Sequence, residues 1–182
     1  ASRTAYVCMG KSMTYAELDR LSAQFASYLQ GELKLPVGTR VALMMPNLLQ
    51  YPVALFGALR AGYTVVNVNP LYTARELEHQ LSDAGAEVVV IVENFAHTLD
   101  QVRARVAVKH IVVTSLGEML GFPKSLLVNF VVRRIKKMVP DWQLDGAVSF
   151  SDALSRGAAH RLQAVEVGHE DIAFIQYTGG TT

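Results

Sequence analysis

Two spacings of apolar residues alternate along the chain. Four short apolar runs, at residues 40–45, 64–68, 87–92 and 110–114, read as strands. Between them apolar residues recur every three or four positions, the spacing of helices with one buried face. Residues 4–9 form a further predicted strand, with Gly10-Lys11 as the turn after it. Thr14-Tyr15-Ala16-Glu17 then opens a helix as a capping box: Thr14 caps, and Glu17 reaches back to the cap amide. In that helix Leu18, Leu21, Phe25 and Leu29 share one face.

After the strand at 40–45, Pro46-Asn47 breaks the run and Asn47 is positioned to cap the next helix, residues 48–61. That helix is apolar nearly all round, which predicts burial on more than one side. Pro52 either starts it or kinks its first turn. Thr73-Ala74-Arg75-Glu76 is a second capping box, and Gly85 ends the helix it opens. The unbroken valine and isoleucine run at 87–92 predicts a parallel strand covered on both faces. A helix is expected over 95–106. Strand, helix, strand from 40 to 114 predicts an α/β fold, a mostly parallel sheet flanked by helices.

Residues 116–146 depart from this rhythm and read as an insertion. Between Pro123 and Pro140 lie five basic residues and no acidic one. At helical spacing Leu127, Val131, Ile135 and Met138 line one side, and Asn129, Arg133, Lys136 and Lys137 the other. Such a helix can lie in the headgroup region of a membrane. It can equally pack its apolar side on the sheet and leave the basic side in water.

The chain has 182 residues, 51% apolar and 18% charged, a globular and core-rich composition. A net charge of +1 gives no general argument for nucleic acid as a partner. Cys8 is the single cysteine, which excludes an internal disulfide and suits a reducing compartment; it reads as a small buried apolar residue. No apolar run reaches the length of a membrane span, and no secretory signal pattern opens the chain. The ends, Ala1 and a run of threonines, read as cuts within a longer protein, and apolar surface is expected where neighbours are missing.

The chemistry concentrates at the last seven residues, Gln176-Tyr177-Thr178-Gly179-Gly180-Thr181-Thr182, which follow the apolar run Ile172-Ala173-Phe174-Ile175. Two glycines and three threonines without an acidic residue can turn successive N–H groups toward an anion. Threonine hydroxyls add neutral donors, or a ligand for phosphate-bound magnesium. In a parallel sheet, ligands sit beyond the carboxyl ends of strands, which is where this loop falls. A polar turn after a strand accounts for the same residues. No G-x-G-x-x-G follows a strand, and no G-x-x-x-x-G-K-[ST] occurs, so neither an NAD site nor a Walker loop is read.

Three stretches, in order, carry a resemblance. Met13-Thr14-Tyr15-Ala16-Glu17-Leu18, then Leu59-Arg60-Ala61-Gly62-Tyr63-Thr64-Val65-Val66-Asn67-Val68-Asn69-Pro70, then Tyr177-Thr178-Gly179-Gly180-Thr181-Thr182 resemble the first three motifs of the adenylate-forming superfamily. Met44-Met45-Pro46-Asn47-Leu48-Leu49-Gln50-Tyr51-Pro52 and the stretch from Asn67 to Leu81 are similar to the bacterial long-chain fatty-acid–CoA ligases within it. The resemblance implies part of the large N-terminal adenylation domain, spanning 1–182, without the mobile C-terminal domain. It implies ATP, magnesium and coenzyme A, with a long-chain fatty acid converted to acyl-AMP and then to the thioester. Tyr177, Thr178, Gly179, Gly180, Thr181 and Thr182 would hold the ATP phosphates, with Thr178 as the magnesium ligand. It places no catalytic residue in this stretch, and the stretch alone is expected to be inactive. A cytoplasmic location is implied, with the 123–140 segment as a contact on the inner face of the membrane. An adenylating enzyme for other acids, and a non-catalytic α/β module that binds a membrane or partner, are the alternatives.

Other residues are discounted. His79, His97, His110, His160 and His169 lack metal spacing. Asp141 and Asp145 flank Trp142 without forming a carboxylate pair for catalysis. Met44 and Met45 read as core, and Asn69 and Tyr72 as turn formers.

Overall fold

A computed structural model describes residues 1–178. Strands β1 (Thr4–Cys8) and β2 (Lys11–Thr14) pair antiparallel as a hairpin. The remaining strands build one sheet: β3 (Arg40–Met44), β4 (Thr64–Asn67), β5 (Val88–Val92), β6 (His110–Thr114), β7 (Val148–Ser149) and β8 (Phe174–Gln176). Their order is β7-β6-β5-β3-β4-β8, and every neighbouring pair is parallel. This is the predicted α/β architecture.

The connections are α1 (Tyr15–Ser27), α2 (Gln50–Arg60), α3 (Ala74–Ala84), α4 (Ala96–Val102), α5 (Lys124–Phe130) and α6 (Phe150–Gly157). Alternation along the strands sorts them into two layers. Val88, Val90 and Val92 of β5 face a core with Phe25 and Leu29 from α1 and its exit, Val53 from α2 and Phe150 from α6. Val89 and Ile91 face the opposite core, with Leu77 and Leu81 of α3 and Leu99 of α4. All five β5 side chains are therefore buried, which is why the run contains no polar residue.

Both capping boxes form. The Thr14 hydroxyl accepts from the Glu17 N–H at 3.2 Å, and the Thr14 N–H donates to the Glu17 carboxylate at 2.7 Å. Thr73 and Glu76 make the same pair at 3.4 and 2.8 Å. Gly85 closes α3 in the left-handed conformation. These hydrogen bonds hold both glutamate carboxyls below their ordinary 4.5.

Several expectations are corrected. The first turn is Met9-Gly10, not Gly10-Lys11, and Lys11–Thr14 returns as β2. Asn47 caps nothing: Leu49 occupies that position with no side-chain bond. Pro52 sits in the first turn of α2, where its missing N–H has no helical partner to lose. One side of α2 reaches water at Phe56. The helix expected over 95–106 is α4 between tighter turns at Glu93–Phe95 and Arg103–Arg105. Cys8 is half-buried rather than buried.

The largest departure is α5. The helix stops at Phe130 and continues as one wider turn, Val131–Ile135. Leu127, Ile135 and Met138, three of the four residues on the apolar side, are exposed, so that side does not pack on the sheet. Val132 is buried, Asn129 is half-buried, and Arg133, half exposed, reaches Glu93 with its guanidinium, while Lys136 and Lys137 of the same polar side stay in water. Asn129 accepts from the Gly117 N–H at 2.8 Å and donates to the Ser115 hydroxyl at 2.9 Å. The Arg133 guanidinium grips the Glu93 carboxylate with bonds of 2.6 to 3.1 Å. Glu93 is only 7% exposed, so an uncompensated charge there is costly and the arginine is drawn in. The pairing raises the Arg133 pKa further.

Candidate functional site

The carboxyl end of β8 lies beside the carboxyl end of β4, in register Asn67↔Gln176. Chain order reverses across β3, whose neighbours β4 and β5 lie on opposite sides, so the crevice beyond these strand ends is at a switch of direction. The chain leaves β8 through Tyr177 and Thr178 at the same carboxyl end of the sheet, on the strand beside β4.

Asn67 organises this edge. Its side-chain oxygen accepts from the Tyr51 hydroxyl of α2 at 2.8 Å, and its amide donates to the Gln176 side chain at 2.9 Å. Its main-chain carbonyl accepts from the Gln80 amide of α3 at 2.8 Å. One strand-end residue thus joins a helix on each face of the sheet to the strand that starts the loop. Burial holds the Tyr51 phenol above its ordinary range, opposed by the Asn67 bond.

One step further, the Tyr177 hydroxyl donates to the Asp83 carboxylate of α3. Burial, then the Asp83 bond and charge, push the Tyr177 phenol up to about 12, so it is a neutral donor at physiological pH. Tyr177 is half-buried against the α3 layer, and Thr178 is exposed. Of the six residues expected to hold phosphates, these two are placed at the carboxyl edge. Gly179, Gly180, Thr181 and Thr182 lie outside the described residues.

No group of three or more acidic, histidine or cysteine side chains suited to a metal occurs among the described residues. An exposed threonine hydroxyl with no carboxylate cluster fits magnesium that arrives with phosphate oxygens and water, and contributes one ligand at most. Among the described residues, the hydrogen bonds of this edge serve to orient a loop.

Sequence reasoning missed Tyr51, Asn67, Gln80 and Asp83. Two left a trace. Asn67 interrupts the apolar run Thr64-Val65-Val66-Asn67-Val68, and Gln80 interrupts the buried stripe Leu77, Leu81, Ala84. Asn69 is a turn former as expected, accepting from the Leu71 N–H at 3.0 Å. Met44 and Met45 are core.

The AMP-binding enzyme family model matches residues 1–182. The chain belongs to that family. It is 58% identical over 184 residues to a long-chain-fatty-acid–CoA ligase of Escherichia coli O157:H7, and 56% identical over 180 residues to one of Haemophilus influenzae. These matches cover 100% and 99% of the chain, but 32% of each relative: the chain spans about a third of the curated relatives it matches. Among solved structures, an anthranilate CoA ligase in complex with anthranoyl-AMP matches all of the chain with TM-score 0.77 at 23% identity, over 30% of its own length. A Mycobacterium tuberculosis fatty acyl CoA synthetase matches 93% of the chain with TM-score 0.63 at 27% identity, over 28% of its own. These two solved ligases share the fold of this chain.

Proposed function

We propose that the chain is part of the N-terminal adenylation domain of a long-chain fatty-acid–CoA ligase, with residues 116–146 as an insertion. The whole enzyme joins ATP and a fatty acid into acyl-AMP and pyrophosphate, and coenzyme A then displaces AMP to give the thioester. The observation that carries the reading is the exit of β8 at the carboxyl edge of a parallel sheet, directly into Tyr177-Thr178-Gly179-Gly180-Thr181-Thr182. Relatives at 56–58% identity bearing that enzyme's name support the substrate class.

The chemistry explains the loop. A carboxylate is a poor electrophile until its oxygen becomes part of a good leaving group, which AMP supplies. Carboxylate and triphosphate are both anions, so oriented neutral donors are needed where they meet. The loop from Tyr177 to Thr182 provides N–H and hydroxyl donors to the β- and γ-phosphates. Tyr177 stays protonated there and keeps the loop's entry tied to α3. Thr178 would hold magnesium, which supplies charge neutralisation on the phosphates. The stretch alone, without the rest of the enzyme, is inactive in this account.

Pyrophosphate release by the full-length enzyme with ATP and palmitate is the test. Thr178→Ala lowers the adenylation rate by roughly 10²-fold, the effect of losing one such donor. Thr178→Ser restores most of it. A wild-type rate for Thr178→Ala defeats the assignment. A panel of aryl and short-chain acids separates the long-chain reading from other acids.

The 123–140 segment is proposed as a peripheral contact on the inner face of the cytoplasmic membrane. Its exposed leucines and basic residues support this. Among the described residues no helix is long and apolar enough to cross a membrane.

A further inference from the structure

We infer that the Met9-Gly10 turn and the outward side of α5 form one surface that seats on a bilayer bearing anionic headgroups, with Met9 entering the acyl region. This rests on the proposal that residues 123–140 contact a membrane, and it adds a second, separate element to that contact.

Cys8 pairs with Lys11, so two residues make the hairpin loop, at φ 49° for Met9 and 73° for Gly10. Two positive angles in a two-residue loop define the turn whose first position favours Asn, Asp or Gly. Methionine has no local hydrogen bond to offer there, and the residue is 49% exposed, so packing returns little. The other non-glycine residues at positive φ, Lys34 and Lys137, each follow the end of a helical turn, where that conformation is ordinary. Met9 alone among them is a strained apolar residue on a hairpin tip, the kind of outlier that points to use.

The turn also touches α5. The Lys124 ammonium at the start of α5 donates to the Met9 carbonyl. A methyl group built on Gly10 would stand 3.4 Å from the same ammonium. The hairpin tip and the helix start are therefore in contact.

The setting of α5 adds to this: Asn129 and Arg133 are tied to Gly117, Ser115 and Glu93, which leaves the apolar residues of the helix in the open. Phe122, Leu126 and Phe130, spaced by four, are 85%, 64% and 57% exposed. A helix whose amide and guanidinium are engaged with the protein while its leucines stand exposed suits a solvent less polar than water.

Charge selects the occupant. Lys124 lies at the contact of the turn with α5, Lys11 follows the turn, Arg134, Lys136 and Lys137 follow the helix and are exposed, and no acidic residue occurs from 119 to 140. Cations around a flat apolar strip match an anionic headgroup layer over acyl chains.

The test uses the full-length enzyme sedimented with phosphatidylcholine vesicles and with equimolar phosphatidylcholine–phosphatidylglycerol vesicles. The wild type pellets with the anionic vesicles, and added salt releases it. Met9→Asn relaxes the turn, so its urea midpoint holds or rises, while vesicle affinity falls about fivefold, the effect of returning half a methionine side chain to water. Leu126→Gln with Phe130→Gln reduces affinity more, by roughly tenfold or above. Adenylation of a short soluble acid is unchanged in both. If the α5 variant loses binding and Met9→Asn does not, the joint surface is overturned and the segment's own contact stands. If both bind vesicles like wild type, the membrane contact itself falls. An α5 variant that instead changes the oligomeric state, with vesicle binding intact, shows the patch covered by a second copy and also overturns the proposal.

Discussion

Replacing Asn67 by alanine removes one acceptor and one donor at the edge where β4 and β8 meet. The Tyr51 hydroxyl is part-buried and loses its only partner among the described residues. A buried polar group left unpaired costs about 1–3 kcal/mol, and partial exposure of this one brings that to about 1–2 kcal/mol. Gln176 is exposed, so water replaces its lost bond at a cost of a few tenths of a kcal/mol. Asn67→Ala therefore destabilises the chain by about 2 kcal/mol. Tyr51→Phe alone costs about 1 kcal/mol. The double variant leaves no hydroxyl unpaired, so its cost falls short of the sum by about 1 kcal/mol. Asn67→Asp keeps the acceptor for Tyr51, and the Gln176 amide can turn its N–H groups toward the new carboxylate, so this variant stays near wild type in its coupling to Tyr51. Urea denaturation of the four proteins in the cycle measures the coupling. In the full-length enzyme Asn67→Ala also lowers the adenylation rate on the order of tenfold, because the loop's entry shifts. Additive costs for Asn67→Ala and Tyr51→Phe, within about 0.3 kcal/mol, would refute the account of this edge.

Arg133→Ala strands the buried Glu93 carboxylate. Half of the arginine is exposed, so the loss is discounted to about 2 kcal/mol, read as a lower urea midpoint with an unchanged slope. Gly157→Ala places a methyl 1.9 Å from the Gln24 carbonyl oxygen, forces α6 away from α1, and lowers the thermal midpoint by the equivalent of about 2 kcal/mol or more. The capping glutamates make stability acid-sensitive. Because folding lowers the Glu17 and Glu76 pKa values, their contribution is complete above 4.5 and is lost as pH falls through the lower folded values. Glu17→Gln with Glu76→Gln keeps both boxes hydrogen-bonded and flattens the dependence of the urea midpoint on pH below 4.5.

What could be seen in the sequence was local. Thr14 with Glu17, and Thr73 with Glu76, announce helix starts because cap and acceptor are three residues apart. The run Val88-Val89-Val90-Ile91-Val92 announces a central strand because both faces are covered. Lys11-Ser12-Met13-Thr14 gave no such signal, since β2 is held by main-chain pairing to β1 and its composition is polar. Which of the two open facings α5 takes was undecided for a different reason. Spacing sorts Leu127 and Ile135 from Asn129 and Arg133, but which side faces in depends on Glu93, forty residues away. The candidate site divides in the same way. Its glycines and threonines are contiguous and were visible. The frame of Tyr51, Asn67, Gln80 and Asp83 is assembled across the sheet, and only two small breaks in apolar patterning hinted at it.

The pairing of β4 with β8 has a consequence for the order in which the molecule is made. Asn67 and Gln176 are 109 residues apart in the chain. At a typical pace of synthesis, roughly 5–20 residues each second, β4 emerges about 5–20 s before its neighbour. Over that interval β3 and β5 can dock, while the far margin of β4 stays open to any passing extended segment. The strand that leads into the terminal loop is therefore a late arrival, and the nascent sheet is most vulnerable to wrong partners at the margin proposed to receive the phosphates.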